Sequence, residues 1–226
     1  MTNEIMRPDQ EARNIANEAE TDAGFMKMLK FKKGDYWCDG EEIALGTQLI
    51  AHAVAWTKAW IKFENRTVVD RKVYRISKGE RAPERDARDP KTGVPILGDQ
   101  DENLWPMGIN GHPADPWVYQ YLLPMESKNG EVRIFVASSF GGRRAVADVC
   151  SAWGRRRAKK PDCGQPIIKL EKLMMPTRNY GDVPRPYFEI IGWDEGDAVF
   201  AGSGPDGGGI PDEVLRKQEF QDEIPF

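Results

Sequence analysis

The segment Trp56-Thr57-Lys58-Ala59-Trp60-Ile61-Lys62-Phe63 interleaves aromatic rings and cations at every second position. Successive side chains of an extended strand point to opposite faces, so Trp56, Lys58, Trp60 and Lys62 share one face. Ala55, Ala59, Ile61 and Phe63 share the other, which suits a core. Two indoles alternating with two ammonium groups can hold a single nucleic-acid strand. Bases stack on the π faces for roughly 1–3 kcal/mol each, while cations follow the phosphates. The same pattern also fits an ordinary solvent face whose indoles are half-covered by the long segment that follows at 78–116.

Three further groups have compatible chemistry. Trp117, Tyr119 and Tyr121 share one strand parity, with Val118, Gln120 and Leu122 on the other. They form either a stacking surface or packing against a neighbouring sheet; Val118 and Leu122 facing an interior would leave the rings open. Arg71, Lys72, Tyr74 and Arg75 supply charge and a ring suited to the rim of such a surface, or to a solvated face. Arg143 and Arg144 follow Phe140-Gly141-Gly142 at an expected helix start, where free amides and the helix dipole attract phosphate; a Gly-flanked turn with two exposed arginines is the plainer reading. Arg155, Arg156, Arg157, Lys159 and Lys160 place five cations in six residues, enough to add salt-sensitive affinity or to hold an acidic segment.

Catalytic patterns are weak by comparison. Gly202-Ser203-Gly204-Pro205-Asp206-Gly207 matches a dinucleotide-binding spacing, but it contains a proline and too little chain follows it for a βαβ unit. Neither a phosphate-binding P-loop nor a Gly-x-Ser-x-Gly elbow occurs. Asp99, Asp101 and Glu102 beside Trp105 could bind a divalent ion. Cys38, Cys150 and Cys163, with His52 and His112, are too scattered for a disulfide framework or a zinc site. His52 reads as a packed strand histidine and Cys150 as packing. The expectation is a binding protein rather than an enzyme, without cofactor or metal.

Positioning these groups requires a mainly β body. Residues 47–56 and 58–64 read as one long or bent strand, with 67–76 as its hairpin partner. Six prolines and many charges mark 78–116 as a long loop, a length that is usually functional or mobile. Strands are expected at 117–125 and 131–138. One helix follows, capped by Ser138 or Ser139, with Val146, Val149, Cys150 and Trp153 on one stripe and an end near Gly154. Strands at 165–174 and 186–193 complete the set. This order matches an OB-fold-like, partly open Greek-key barrel with one helix, which binds oligonucleotides across one face.

Composition adds a division of charge. The 226-residue chain has a net charge of −4, from 32 basic and 36 acidic residues. Residues 1–30 hold four basic and six acidic residues, and 194–226 hold two and nine. That leaves 26 basic and 21 acidic residues in 31–193, a body at +5. The expected organisation is a polar lead at 1–30, a nucleic-acid-binding domain at 31–193, a Gly-rich flexible linker at 194–211 and an acidic tail at 212–226. Neither a membrane span nor a secretion signal is expected, which points to a cytoplasmic protein.

The chain closes on Asp222, Glu223, Ile224, Pro225 and Phe226. An apolar ring with a free carboxylate on the same residue and flanking acids makes a compact ligand for a basic-rimmed pocket. This stretch resembles the C-terminal tip of bacterial single-stranded DNA-binding proteins. The resemblance covers five residues and implies a protein that grips single-stranded DNA and recruits replication, recombination or repair proteins through Phe226 and its carboxylate. In that reading Ile224 and Pro225 shape the approach, and Asp222 and Glu223 steer it. The body departs from the bacterial type, as a divergent, phage-encoded analogue would, and a monomer or dimer is favoured over a tetramer. Two other readings stay open: a metal-dependent DNA-processing enzyme such as a nuclease, and a protein adaptor without nucleic-acid affinity.

Overall fold

The chain between Lys27 and Ile43 is shaped by two tight turns. Lys33 and Gly34 have φ of 53° and 95°, and Asp39 and Gly40 have φ of 50° and 87°. Consecutive positive angles are what a two-residue hairpin needs to match the right-handed twist of its strands. The turns join β1 (Lys27–Lys32), β2 (Asp35–Cys38) and β3 (Glu41–Ile43) into an antiparallel meander. The computed structural model describes residues 27–194 apart from positions 66, 109–110 and 179–180. The linker beyond 194, the tail 212–226 and most of the lead 1–30 lie outside the described residues.

β4 (Gln48–Ala51) passes through a single 3-10 turn at Ala53–Ala55 into β5 (Thr57–Glu64). Both lie along one edge of β7 (Trp117–Glu126): Ile50 and Ala51 face Glu126 and Met125, while Thr57 through Lys62 face Leu122 through Trp117. The expected bent strand is therefore present. β6 (Thr67–Arg75) pairs with the outer edge of β5, and β8 (Val132–Ala137) with the other edge of β7. β9 (Gln165–Thr177) and β10 (Gly181–Asp194) form a long ribbon beside β4. The order is β10-β9-β4-β7-β8-β1-β2-β3, with β5 and β6 branching from β7. β1 runs parallel to β8, and the other described pairings are antiparallel.

This sheet curls into an open half-barrel with one helix among the described residues. Tyr36 spans its seam. The fully buried hydroxyl donates to the Glu171 carbonyl at 2.8 Å and accepts from the Tyr187 amide at 3.2 Å, tying β2 to a rung of β9 and β10. Burial pushes the Tyr36 phenol far above its ordinary range, so it stays a neutral donor. The adjacent Asp35 pairs with Lys172 at 3.1 Å. Leu29, Leu49, Leu123, Met125, Phe135, Ile168, Leu170 and Phe188 fill the interior with Tyr36.

α1 (Phe140–Lys159) closes the core through Ala145, Val146, Val149 and Cys150. Ser139 caps it, its hydroxyl accepting from the Gly142 amide at 3.1 Å. The helix does not stop near Gly154, as the sequence suggested, but continues to Lys159. Gly154 keeps a negative φ, and three cations in the last turn oppose the negative end of the helix dipole. Two other boundaries shift. β1 begins inside the expected lead 1–30, and the ribbon strands exceed 165–174 and 186–193 at their paired ends. On the other face of the sheet, Ala59, Ile61, Leu122 and Ile134 form a second, smaller buried cluster.

Candidate nucleic-acid interface

Pairing between β5, β6 and β7 places the sequence-predicted rings and cations in register. Lys58 stands opposite Tyr121 and Tyr74, Trp60 opposite Tyr119 and Lys72, and Lys62 opposite Trp117 and Asp70. This is the face that continues along β7 into the core residues Leu123 and Met125. Past the end of α1 it is covered in part by the 78–116 loop.

The covered half centres on Leu97, which is fully buried against Trp60 and Trp117. The Trp60 indole donates to the Pro83 carbonyl at 3.0 Å, and the Trp117 indole to the Asp99 carboxylate at 3.0 Å. Lys72 donates to the Ile96 carbonyl at 2.6 Å, and Lys62 pairs with Glu64 at 2.9 Å and Asp99 at 3.2 Å. These two carboxylates raise the Lys62 pKa. Trp60 and Trp117 are only 8% and 5% exposed, so neither is an open stacking platform. Their rings hold the loop down instead.

The loop is knitted around two residues. Arg85 clasps Asp115 with two hydrogen bonds of 2.6 and 3.0 Å and donates to the carbonyls of Gly98 and Asp99. Asp99, held at φ 58°, accepts from the Trp105 indole through its carbonyl. Short polar residues such as Asp tolerate this left-handed conformation better than most. Asp101 accepts from the Asn103 amide and side chain. These carboxylates thus serve the loop's architecture, and no group of three potential metal ligands occurs among the described residues.

The uncovered half is a run of half-buried rings. Trp56 meets Tyr121 edge-on at 5.3 Å between centroids, Tyr121 meets Tyr119 at 5.5 Å, and Tyr119 meets Trp60 at 4.8 Å. The Lys58 ammonium lies 5.5 Å from the Trp56 ring centroid and 5.1 Å from that of Tyr121. It has no carboxylate partner among the described residues. Arg143 leans back from the first turn of α1 over Tyr119, 5.6 Å from its centroid. One terminal nitrogen of Arg143 donates to the Ser138 carbonyl at 2.6 Å and the Tyr119 carbonyl at 3.3 Å. Its other two nitrogens carry no hydrogen bond to the described residues. Burial first, then the neighbouring Tyr121, drives the Tyr119 phenol well above its usual range.

A cavity of about 500 Å³ opens between Tyr119 and the loop, bounded by Trp60, Ala82 to Arg85, Asp115, Trp117, Val118, Ser138 and Arg143.

Other predicted positions fall elsewhere. Arg71 and Arg75 pair with Ile61 and Thr57 and so belong to the opposite face, while Tyr74 stays on the ring face. The space beside Gly141 is already occupied, because a Cβ there would lie 2.8 Å from that of Arg185. The glycine admits β10 rather than a ligand backbone. Arg144 is exposed and pairs with Asp148. Arg155, Arg156, Arg157, Lys159 and Lys160 lie at the far end of α1, about 20 Å along the axis from Arg143. There Arg156 stacks over Trp193 at 4.5 Å and Arg157 over Trp153 at 5.0 Å. His52 is buried and shares a 3.0 Å hydrogen bond with Glu126. Asp222 to Phe226 lie outside the described residues.

Leu97, Arg85, Pro83 and Asp115 escaped the sequence reading. One signal was present: Val94, Pro95, Ile96 and Leu97 form an apolar run inside an otherwise charged loop, which needs something to pack on. No known protein family matches this chain, and no characterised protein or solved structure is a match for it.

Proposed function

We propose that the protein binds single-stranded DNA in replication, recombination or repair, without catalysing a reaction. The observation that carries this reading is the open half-row. Trp56, Tyr121 and Tyr119 present partly exposed rings, and the two cations over them, Lys58 and Arg143, have no acidic partner among the described residues. On the covered half, by contrast, Lys62 finds two carboxylates and Lys72 a loop carbonyl. Uncompensated cations beside aromatic faces suit a polyanion whose bases can stack.

The topology supports an OB-type barrel as the scaffold. With the bent β4–β5 taken as first strand, β7 and β8 are second and third, α1 follows, and β9 and β10 are fourth and fifth. First pairs with second and fourth, second with third, and fourth with fifth. The β1–β3 meander then stands between third and fifth, where Tyr36 makes the junction. In such barrels the second and third strands and the loop after the first strand carry oligonucleotides. The open row lies on β7, and the loop that roofs its neighbour follows β5 and β6.

Residues 222–226 fit this function as the element that engages partner proteins, because an acidic Ile-Pro-Phe peptide offers ring and charge together. The test is binding of a labelled oligo-dT and of a duplex of equal length, at low and raised salt. Preferential, salt-sensitive capture of the single strand is expected. Absence of binding to either at low salt would leave an adaptor role as the better account.

A further inference from the structure

The row of open rings has one closed end. Tyr119 belongs both to the row and to the cavity of about 500 Å³, whereas Trp56 and Tyr121 lie outside the cavity. That volume falls within the roughly 300–1,000 Å³ typical of small-ligand sites. Trp60 and Trp117 also line it, with their indole N–H groups already engaged by the Pro83 carbonyl and the Asp99 carboxylate of the loop.

The two sides of the cavity differ in charge. On one side stands Arg143, fixed through one terminal nitrogen by two carbonyls, with its other nitrogens unengaged among the described residues. A guanidinium edge held this way suits two parallel hydrogen bonds to a phosphate. Across from it the Arg85 charge is matched by Asp115, leaving the exposed Glu84 without a basic partner among the described residues. An internal nucleotide carries a phosphate on each side of its sugar, and the second would meet this acidic wall. A terminal nucleotide carries a linking phosphate on one side only.

We infer that the cavity is a receptor for the terminal nucleotide of a single strand, with the base on Tyr119 and the linking phosphate on Arg143. The inference rests on the nucleic-acid reading above and adds that the protein recognises strand ends. A strand running over Trp56 and Tyr121 stops at the loop, so binding has a fixed register at one terminus.

The test compares a linear oligo-dT with the covalently closed circle of the same length, by competition against a labelled strand. The linear form is expected to bind about tenfold tighter. Two further linear strands, capped by a hairpin at either the 5′ or the 3′ end, identify the terminus: the advantage disappears in one of them. Ser138→Trp, at an exposed position on the cavity wall, should remove the linear advantage. Arg143→Lys keeps the charge but not the two-pronged edge, and should also lose the preference. Equal affinity for circle and line, or an advantage that survives both caps, overturns the end-recognition inference while leaving strand binding intact. Failure of circle and line alike overturns the nucleic-acid reading instead.

Discussion

Lys58 and Tyr121 face each other across β5 and β7, with the ammonium 5.1 Å from the ring centroid and no carboxylate partner for it among the described residues. Four residues further along the same strand, Lys62 pairs with both Glu64 and Asp99. One face thus holds a cation that fastens a loop and a cation left to attract an anion. The boundary between them is where the 78–116 loop ends its cover.

Trp56→Ala and Tyr121→Ala should each weaken oligo-dT binding by roughly 1–3 kcal/mol, the range for loss of one base-stacking ring. Lys58→Gln should act differently, lowering the slope of log affinity against log salt by about one phosphate contact. Fluorescence anisotropy across a salt series separates the two effects. A slope unchanged by Lys58→Gln would remove that residue from the interface.

Trp60→Ala should be a stability variant before it is a binding variant. The ring is 8% exposed, packs with Leu97 and Trp117, and donates to the Pro83 carbonyl. Removing a buried indole costs roughly 3–5 kcal/mol, read as a shift of the urea midpoint. An unchanged midpoint would mean the loop does not cover this ring in solution.

Tyr36→Phe removes one oxygen and leaves the Glu171 carbonyl and Tyr187 amide without that partner at the barrel seam. A buried polar group left unsatisfied costs about 1–3 kcal/mol. Faster amide exchange should concentrate at Tyr187 and its neighbours. Exchange that rises uniformly across the sheet would argue against a local seam.

Much of this architecture was legible before the structure. Period-two alternation exposed the bent strand at 47–64, the hairpin at 67–76 and the ring parity of β7, because a half-buried strand writes its two faces into the sequence. The β1–β3 meander was missed although Lys33-Gly34 and Asp39-Gly40 signal hairpins, since strands of three to six residues give too few alternations to stand out. Side-chain parity assigned Trp56, Lys58, Trp60 and Lys62 to one face correctly. It could not say that the 78–116 loop would roof Trp60 and spare Trp56. That outcome depends on Leu97, Arg85 and Asp115, long-range contacts that no local period records. The basic run at 155–160 was legible as charge, but its distance from the row follows only from the length of α1.

Stability should fall on mild acidification through His52. Burial lowers its pKa below the ordinary value, outweighing the opposing pull of Glu126. The folded state then binds fewer protons than the unfolded chain, so this contribution is complete above about pH 6.5 and is lost as pH falls below it. His52→Gln should flatten the loss of melting temperature between neutral and mildly acidic pH. A profile identical to that of the parent would mean His52 does not contribute to acid sensitivity.

Removing residues 222–226 should leave oligo-dT affinity unchanged or slightly raised, because the charge deleted is acidic. Capture of replication or repair proteins by the immobilised protein should disappear with it. Loss of DNA binding on truncation would assign these residues to the strand interface rather than to partners.

The proposed function makes Trp56, Tyr121 and Tyr119 stacking surfaces and Lys58 and Arg143 their phosphate partners. Its most direct test is a low-salt titration of intrinsic tryptophan fluorescence with oligo-dT, for the parent protein and for Trp56→Phe. Saturable quenching that is reversed by salt and largely lost in Trp56→Phe is the predicted result. Fluorescence unchanged by the oligonucleotide, or quenching that Trp56→Phe leaves intact, would contradict the account.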